Sequence, residues 1–440
     1  MNKHAMDESF LATKDADPYA FYERLLARGD VHWDAGLNGW LVTSYDACKE
    51  AMRQDDVLYD SPHKEGRKLL FGGTRAVPAL KGAEHERLHG WWLTEFSPKR
   101  VAEWRATMIK PIVDACIDRF VEKGKAELAE ELSERIPIRV ITRLMGLPWQ
   151  DDDFVDTDCR LNHQIVNVLN HSTHVDKSDK AGAERIMAEG AAAAKEIEEM
   201  ITPFIMARKG GEGDDLISKF WRDGPRLLDD WNLSDVMANT RLMLQAGSDT
   251  TTYATSNAAY LMLTRAGLME QLKGASEAQL TTFVEEVLRL HGPVHLRLRQ
   301  AIADTTLAGC LFARGGAVIP IVAAANRDPT RDERPNEIDL SRKTPRDHLA
   351  FHFGPHVCVG AALARAELLE TVITLVQRMP GMRLDPDAQQ PGMIGWLMRA
   401  YRPLNIVFYP GPQSPRGTSL AISLNDHIYD IHAVATGEHS

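Results

Sequence analysis

The residues best placed to do chemistry lie in one short run, Phe351-His352-Phe353-Gly354-Pro355-His356-Val357-Cys358-Val359-Gly360, after which Ala361 to Glu367 has helical character. A thiol at a helix start sits where aligned peptide dipoles and free backbone N–H groups favour thiolate over thiol. The same N–H groups can donate to a metal-bound sulfur and tune its basicity. Gly354 and Gly360 predict backbone that turns with positive φ and comes close to a flat ligand, with Phe351 against that ligand's face. The chemistry indicated is metal–thiolate chemistry at Cys358, weighed against the bland reading of an inert buried cysteine. Cys48, Cys116, Cys159 and Cys310 have no CxxC spacing, so neither a disulfide framework nor a zinc knuckle is suggested.

A second run, Ala246-Gly247-Ser248-Asp249-Thr250-Thr251-Thr252, falls inside a long helix expected from a cap at Ser234 to about Ala266, where Gly267 ends it. Gly costs about 1 kcal/mol relative to Ala in a helix interior, so this cluster opposes its own element and marks a candidate site. Small side chains at 246 and 247 would let the backbone pass close over a planar group, and a Thr hydroxyl can compete for main-chain carbonyls. The alternative is a poorly formed helix with a solvated Thr patch. His85 and His89 lie four apart on another predicted helix, a spacing that also suits zinc if a third ligand exists. Glu286 and Arg289 are spaced for one helical face.

Together these motifs resemble the cytochrome P450 family, whose proximal loop reads Phe-x-x-Gly-x-His/Arg-x-Cys-x-Gly. The resemblance covers roughly residues 18 to 409 and implies a mainly α fold with small β-sheets (α+β), a long distal helix over haem b and the cysteine loop below it. It makes Cys358 the iron ligand, with Phe351, Gly354, His356 and Gly360 framing the loop and Ala246 and Gly247 lying over the haem. Asp249 and Thr250 would deliver protons while O2 is activated. Arg299, His85 and His89 would contact haem propionates, and Glu286 and Arg289, with Arg342, would form a structural bridge. Departures are His352 where the family often has Gly, Val359 for Leu, His89 for Arg and Asp332 for an aromatic residue. Substrate-facing positions map to Leu70, Phe71, Val77, Leu242, Gln245, Val294, Leu296 and Ile394, mostly apolar, which suits a small, largely apolar or aromatic molecule to be hydroxylated or O-dealkylated. A haem-thiolate peroxygenase or isomerase, and a haem sensor, are the competing readings.

The chain carries no flavin or Rossmann fingerprint and no Fe–S cysteine run, so NAD(P)H would act indirectly, through a ferredoxin or flavodoxin with its reductase. Lys99, Arg100, Arg105 and Arg365 could form its docking patch, or simply neutralise neighbouring acids. The 440 residues are 44% hydrophobic with a formal net charge of −11, enough for a large core and unsuited to nucleic acid. No 18-residue uncharged apolar run or secretory core occurs, so a cytoplasmic protein without a membrane span is expected; a monomer is the expected state. One unit over residues 1–411, followed by a tail at 412–440, is the expected organisation. A helix over 18–27, a hairpin of 31–33 with 40–43, an irregular loop over 58–82 and paired helices between 164 and 208 complete the reading.

Overall fold

The computed structural model describes residues 8–60, 73, 75–172 and 180–414. Leu70, Phe71, most of the 58–82 segment and nearly all of the predicted tail lie outside the described residues.

Pro18 precedes helix α1 (Tyr19–Arg28), which buries Phe21, Tyr22 and Leu25. Strands β1 (Val31–Asp34) and β2 (Gly39–Val42) pair antiparallel, with Trp33 opposite Trp40, as the alternation and the glycine turn predict. After α2 (Tyr45–Arg53) and β3 (Tyr59–Asp60) come α3 (Gly82–Glu95), α4 (Pro98–Trp104), α5 (Lys110–Asp118), β4 (Lys125–Glu127), α6 (Arg135–Leu144), α7 (Asp152–Ser172), α8 (Lys180–Ala207) and α9 (Leu216–Leu227). Then follow α10 (Leu233–Thr264), α11 (Leu268–Lys273), α12 (Glu277–His291), β5 (Arg299–Ala301), β6 (Thr305–Leu307), β7 (Cys310–Phe312), β8 (Ala317–Pro320), α13 (Val322–Ala325) and α14 (Ala361–Arg378). Short strands β9 (Arg383–Leu384), β10 (Gly392–Gly395), β11 (Arg399–Arg402) and β12 (Asn405–Val407) close the described chain. The largest sheet has the order β1-β2-β8-β5-β3, and its one parallel pair is β2 with β8. This is a mainly α fold with small sheets.

The 32 residues of α10 span about 48 Å at roughly 1.5 Å per residue, enough to thread the whole core. Its cap is Asn232, not Ser234: the Asn232 side chain accepts from the Ser234 N–H at 2.9 Å, while Asp235 accepts from the Asn232 N–H at 3.0 Å. This reciprocal pair satisfies two orphan donors, and Ser234 already has helical backbone. Gly267 follows in the left-handed region at φ +73°, which ends the element near the expected place. From Asp235 to Met262 the helix is buried except at Ala246, Gly247, Thr250 and Tyr260. The main core joins apolar faces of α3, α5, α6, α10, α12 and α14, which brings the long helix and the helix after Cys358 into one packed body. No described helix is long and apolar enough to cross a membrane.

Candidate active site

Cys358 sits in the loop that leads into α14, where its N–H donates to the Phe351 carbonyl at 2.9 Å and closes the loop. The backbone N–H groups of Gly360 and Ala361 favour its thiolate form, and the Ala361 N–H donates to the Cys358 carbonyl at 3.3 Å. Burial nevertheless pushes the thiol up, against those donors and the charges of Arg297 and Arg365. The helix-start donors are therefore present as expected, but they do not by themselves outweigh desolvation; a metal ion would supply the missing charge.

Gly354 has φ +80°, and a Cβ there would lie 2.8 Å from the Met52 carbonyl oxygen, so glycine is required on both counts. Gly360 differs from the expectation: its φ is −83°, and an added Cβ would meet nothing nearer than the Cys358 sulfur at 3.9 Å. The other left-handed residue of the loop is His352, at φ +68°. It occupies the position where the P450 pattern often has Gly, and it stays there by accepting from Arg299 Nη2 at 2.9 Å and donating to the Phe353 carbonyl at 2.7 Å. Phe351 is half-buried with the Arg365 guanidinium 4.3 Å from its ring centroid. Arg365 in turn donates to Glu285 at 2.7 Å, which also takes His348 and Arg346. Burial pushes the Glu285 carboxyl up, but hydrogen bonds from His348 and Arg365 prevail and hold it at about 2.

On α10, Ala246 is exposed in the middle of an otherwise buried helix, and Thr250 Oγ1 donates to the Ala246 carbonyl at 2.9 Å. Such a gap in the packing is what a large planar group would fill. Gly247 serves a different purpose from the one expected: a Cβ on it would lie 3.0 Å from Ile141 of α6, so its smallness admits a neighbouring helix. Positions 246 and 247 are about 100° apart on the helix, and they face different neighbours. Asp249 is buried, its Oδ2 has no hydrogen-bond partner, and burial pushes its carboxyl up to about 7. Asp158 of α7, fully buried with both oxygens unpartnered, is likewise pushed up to about 7, by burial and then by Asp249. Close by in charge terms are His163, Glu134 and Arg402: His163 lies 3.2 Å from Glu134, which Arg402 also pairs. These three, with Cys159, line a cleft of about 580 Å³. Asp158 was not legible in sequence; its four-residue spacing from Asn162 on one helix was the available signal.

Of the residues expected at the propionates, Arg299 binds both oxygens of Asp55 at 2.6 and 2.7 Å, and beside them His356 of the cysteine loop donates to Asp56 at 2.8 Å. His89 donates through Nε2 to the Val357 carbonyl at 2.8 Å. His85 is buried with its Nε2 unpartnered, its ring 4.9 Å from that of His89 and 4.2 Å from that of His356. Burial, then the neighbouring His356 and His89, lowers its pKa to about 4. The zinc alternative changes partners: His85 groups with Asp56 and His356, ligand atoms within 4.8 Å, and not with His89.

Glu286 receives both Arg289, at 2.8 and 2.9 Å, and Arg342, at 2.7 and 3.1 Å. Asp332 also pairs with Arg342, which gives the departure from an aromatic residue there a local use. Among the substrate-facing positions, Val77, Leu242 and Leu296 are core residues, and Leu296 packs with Phe10, Tyr22 and Trp396 and has no exposed surface. Val294 and Ile394 are half-buried, the former beside Tyr253 and Met398. Gln245 is buried with both amide atoms unpartnered. Of the basic patch, Arg100 pairs with Glu95, Arg105 with Glu277 and Glu370, and Arg365 with Glu285, while Lys99 is exposed. Three of the four cations are thus locally neutralised.

A thiol at a helix start whose thiolate the backbone N–H groups favour, a gap in the long buried helix and the buried, unpartnered Nε of Arg297, whose charge acts on the sulfur, fit a haem-thiolate site. The family model for cytochrome P450 matches residues 214–390. The chain is 30% identical to the cytochrome P450 monooxygenase PikC of Streptomyces venezuelae, over 92% of this chain and 94% of that one. It is also 30% identical to the nocardicin C N-oxygenase of Nocardia uniformis subsp. tsuyamanensis, over 83% and 88%. The crystal structure of CYP109E1 from Bacillus megaterium in complex with testosterone superposes with a TM-score of 0.79 at 25% identity, covering 91% of this chain and all of that one. The chain belongs to the cytochrome P450 family and is a haem-dependent monooxygenase of the bacterial type.

Proposed function

We propose that this enzyme inserts one oxygen atom of O2 into a small, largely apolar or aromatic organic molecule, by hydroxylation or O-dealkylation, with electrons passed from NAD(P)H by a separate ferredoxin or flavodoxin and its reductase. The observation that carries the reading is Cys358 at the start of α14, its loop closed by its own N–H on the Phe351 carbonyl at 2.9 Å, with the backbone N–H groups of Gly360 and Ala361 favouring the thiolate. Haem b, when bound, supplies the redox and O2 chemistry. Cys358 would hold its iron, the Gly360 and Ala361 donors would moderate the sulfur's basicity, and His89 would hold the loop through Val357. Thr250 lies at the gap in α10 and would pass protons to the site, resupplied by the buried acid Asp249, whose carboxyl near 7 can give or take a proton at neutral pH.

The apolar substrate class is supported by the half-buried Val294 and Ile394 and by the steroid held in the CYP109E1 structure. Gln245, an amide without a partner, would take one polar group of the substrate. The pairing of Arg100, Arg105 and Arg365 with acids favours charge neutralisation over a basic patch, and leaves Lys99 as the exposed cation of the docking face proposed for the ferredoxin or flavodoxin. A cytoplasmic monomer remains the proposed state. The Asp249–Thr250 pair favours a monooxygenase over a peroxygenase or isomerase, which needs no proton relay. The test is a compound screen for a low-spin to high-spin Soret shift, followed by NADH turnover of each hit with a generic ferredoxin and reductase. Coupled product formation is expected; a pigment that responds to ligands but never turns over would favour the sensor.

A further inference from the structure

We propose that Arg297, and not Arg299, is the guanidinium that pairs with a propionate carboxylate of the haem, a reading that rests on the haem-thiolate assignment. Four of the five N–H donors of Arg299 are already engaged within the protein. Its Nε and Nη2 bind Asp55, its Nη2 also reaches His352, and its Nη1 donates to the Leu298 carbonyl at 3.0 Å. Asp55 is buried, so this pair is mutually neutralised within the protein.

Arg297 stands two residues earlier. Its N–H donates to the Pro320 carbonyl at 2.9 Å, which continues the pairing in which Arg299 lies opposite Val318, so the two arginines project from the same side of the extended chain. Among the described residues Arg297 makes no salt bridge, and its buried Nε has no acceptor. Its electrostatic neighbours are Arg299, Cys358 and Asp55. Two guanidiniums and one carboxylate leave one positive charge uncompensated beside the ligating cysteine. A guanidinium fork matches a carboxylate in a bidentate way, and a half-buried unpaired cation is costly, so an anion is called for there. A propionate supplies it. The other available anion, the Cys358 thiolate, is the alternative that the experiment separates.

The full-length apoprotein is titrated with haemin and with haemin whose two propionates are methyl esters, for the wild type, R297Q, R297K and R299Q. R297Q is expected to weaken haemin binding by roughly ten- to a hundredfold and to leave diester binding at the wild-type level. R297K should retain most of the wild-type preference for the free acid, and R299Q should retain that preference while lowering thermal stability. The free-acid to diester ratio does not move with a general loss of fold. Equal weakening of both porphyrins by R297Q would overturn the proposal in favour of a thiolate partner, and so would loss of the preference in R299Q alone. A wild-type chain that gives a thiolate spectrum with neither porphyrin would overturn the haem-thiolate assignment itself, and this proposal with it.

Discussion

His89 of α3 donates through Nε2 to the carbonyl oxygen of Val357, the residue before Cys358, at 2.8 Å. The family pattern has an arginine at this place; here an imidazole is spent on the cysteine loop. His89→Ala should cost about 1 kcal/mol of stability, and it should speed loss of thiolate ligation on mild heating more than it lowers the melting temperature. Time-resolved spectra of the ferrous carbon monoxide complex would show this; an unchanged rate would reduce the contact to packing.

Thr250 donates to the Ala246 carbonyl at the gap in α10. Thr250→Ala should fold and bind haem normally but divert reducing equivalents to peroxide, with product formed per NADH falling by about tenfold or more. Peroxide assays beside product assays test it, and unchanged coupling would remove the residue from the proton route.

His352 holds a left-handed backbone at φ +68° in exchange for its bonds to Arg299 and Phe353. His352→Ala keeps the strained backbone and loses the Arg299 bond, so it should destabilise by about 1 kcal/mol or more. His352→Gly loses the same bond but relieves the strain, and should be more stable than the alanine variant by about 1 kcal/mol. Chemical denaturation of both variants gives the order; the reverse order would contradict the backbone account.

Asp158 and Asp249 both have carboxyls pushed up from the ordinary 3.8 to about 7. An acid whose folded pKa is raised holds its proton longer in the folded state, so stability falls as pH rises from about 4 to about 7. His163 acts in the same direction, because its pKa is raised through Glu134 and its contribution is lost as pH rises through the folded value. Asp158→Asn should therefore gain on the order of 2 kcal/mol at about pH 8 and little at about pH 4. Thermal melts across that range test the sign; a gain confined to low pH would contradict it.

What could be read from sequence was local. The cysteine loop, the α10 cluster and the Glu286–Arg289 spacing each lie within one element, where fixed geometry carries the signal. What escaped depended on distant partners. Asp55 and Arg299 are 244 residues apart, so the pairing that engages the arginine expected at a propionate left no trace in either neighbourhood. Gly247 was legible as a small residue but not as the one that admits Ile141, because helix packing is set by rotation about α10. The cap moved from Ser234 to Asn232 because either side chain is a good cap and only backbone conformation decides between them.

The central claim is that Cys358 is the iron ligand, and the reduced, carbon monoxide-bound spectrum of the haem-loaded chain tests it most directly. The wild type should show the strongly red-shifted Soret band of thiolate ligation, and Cys358→Ser should lose it while keeping its far-ultraviolet dichroism. A wild-type band at the imidazole position, or a red-shifted band that survives the substitution, would contradict the account.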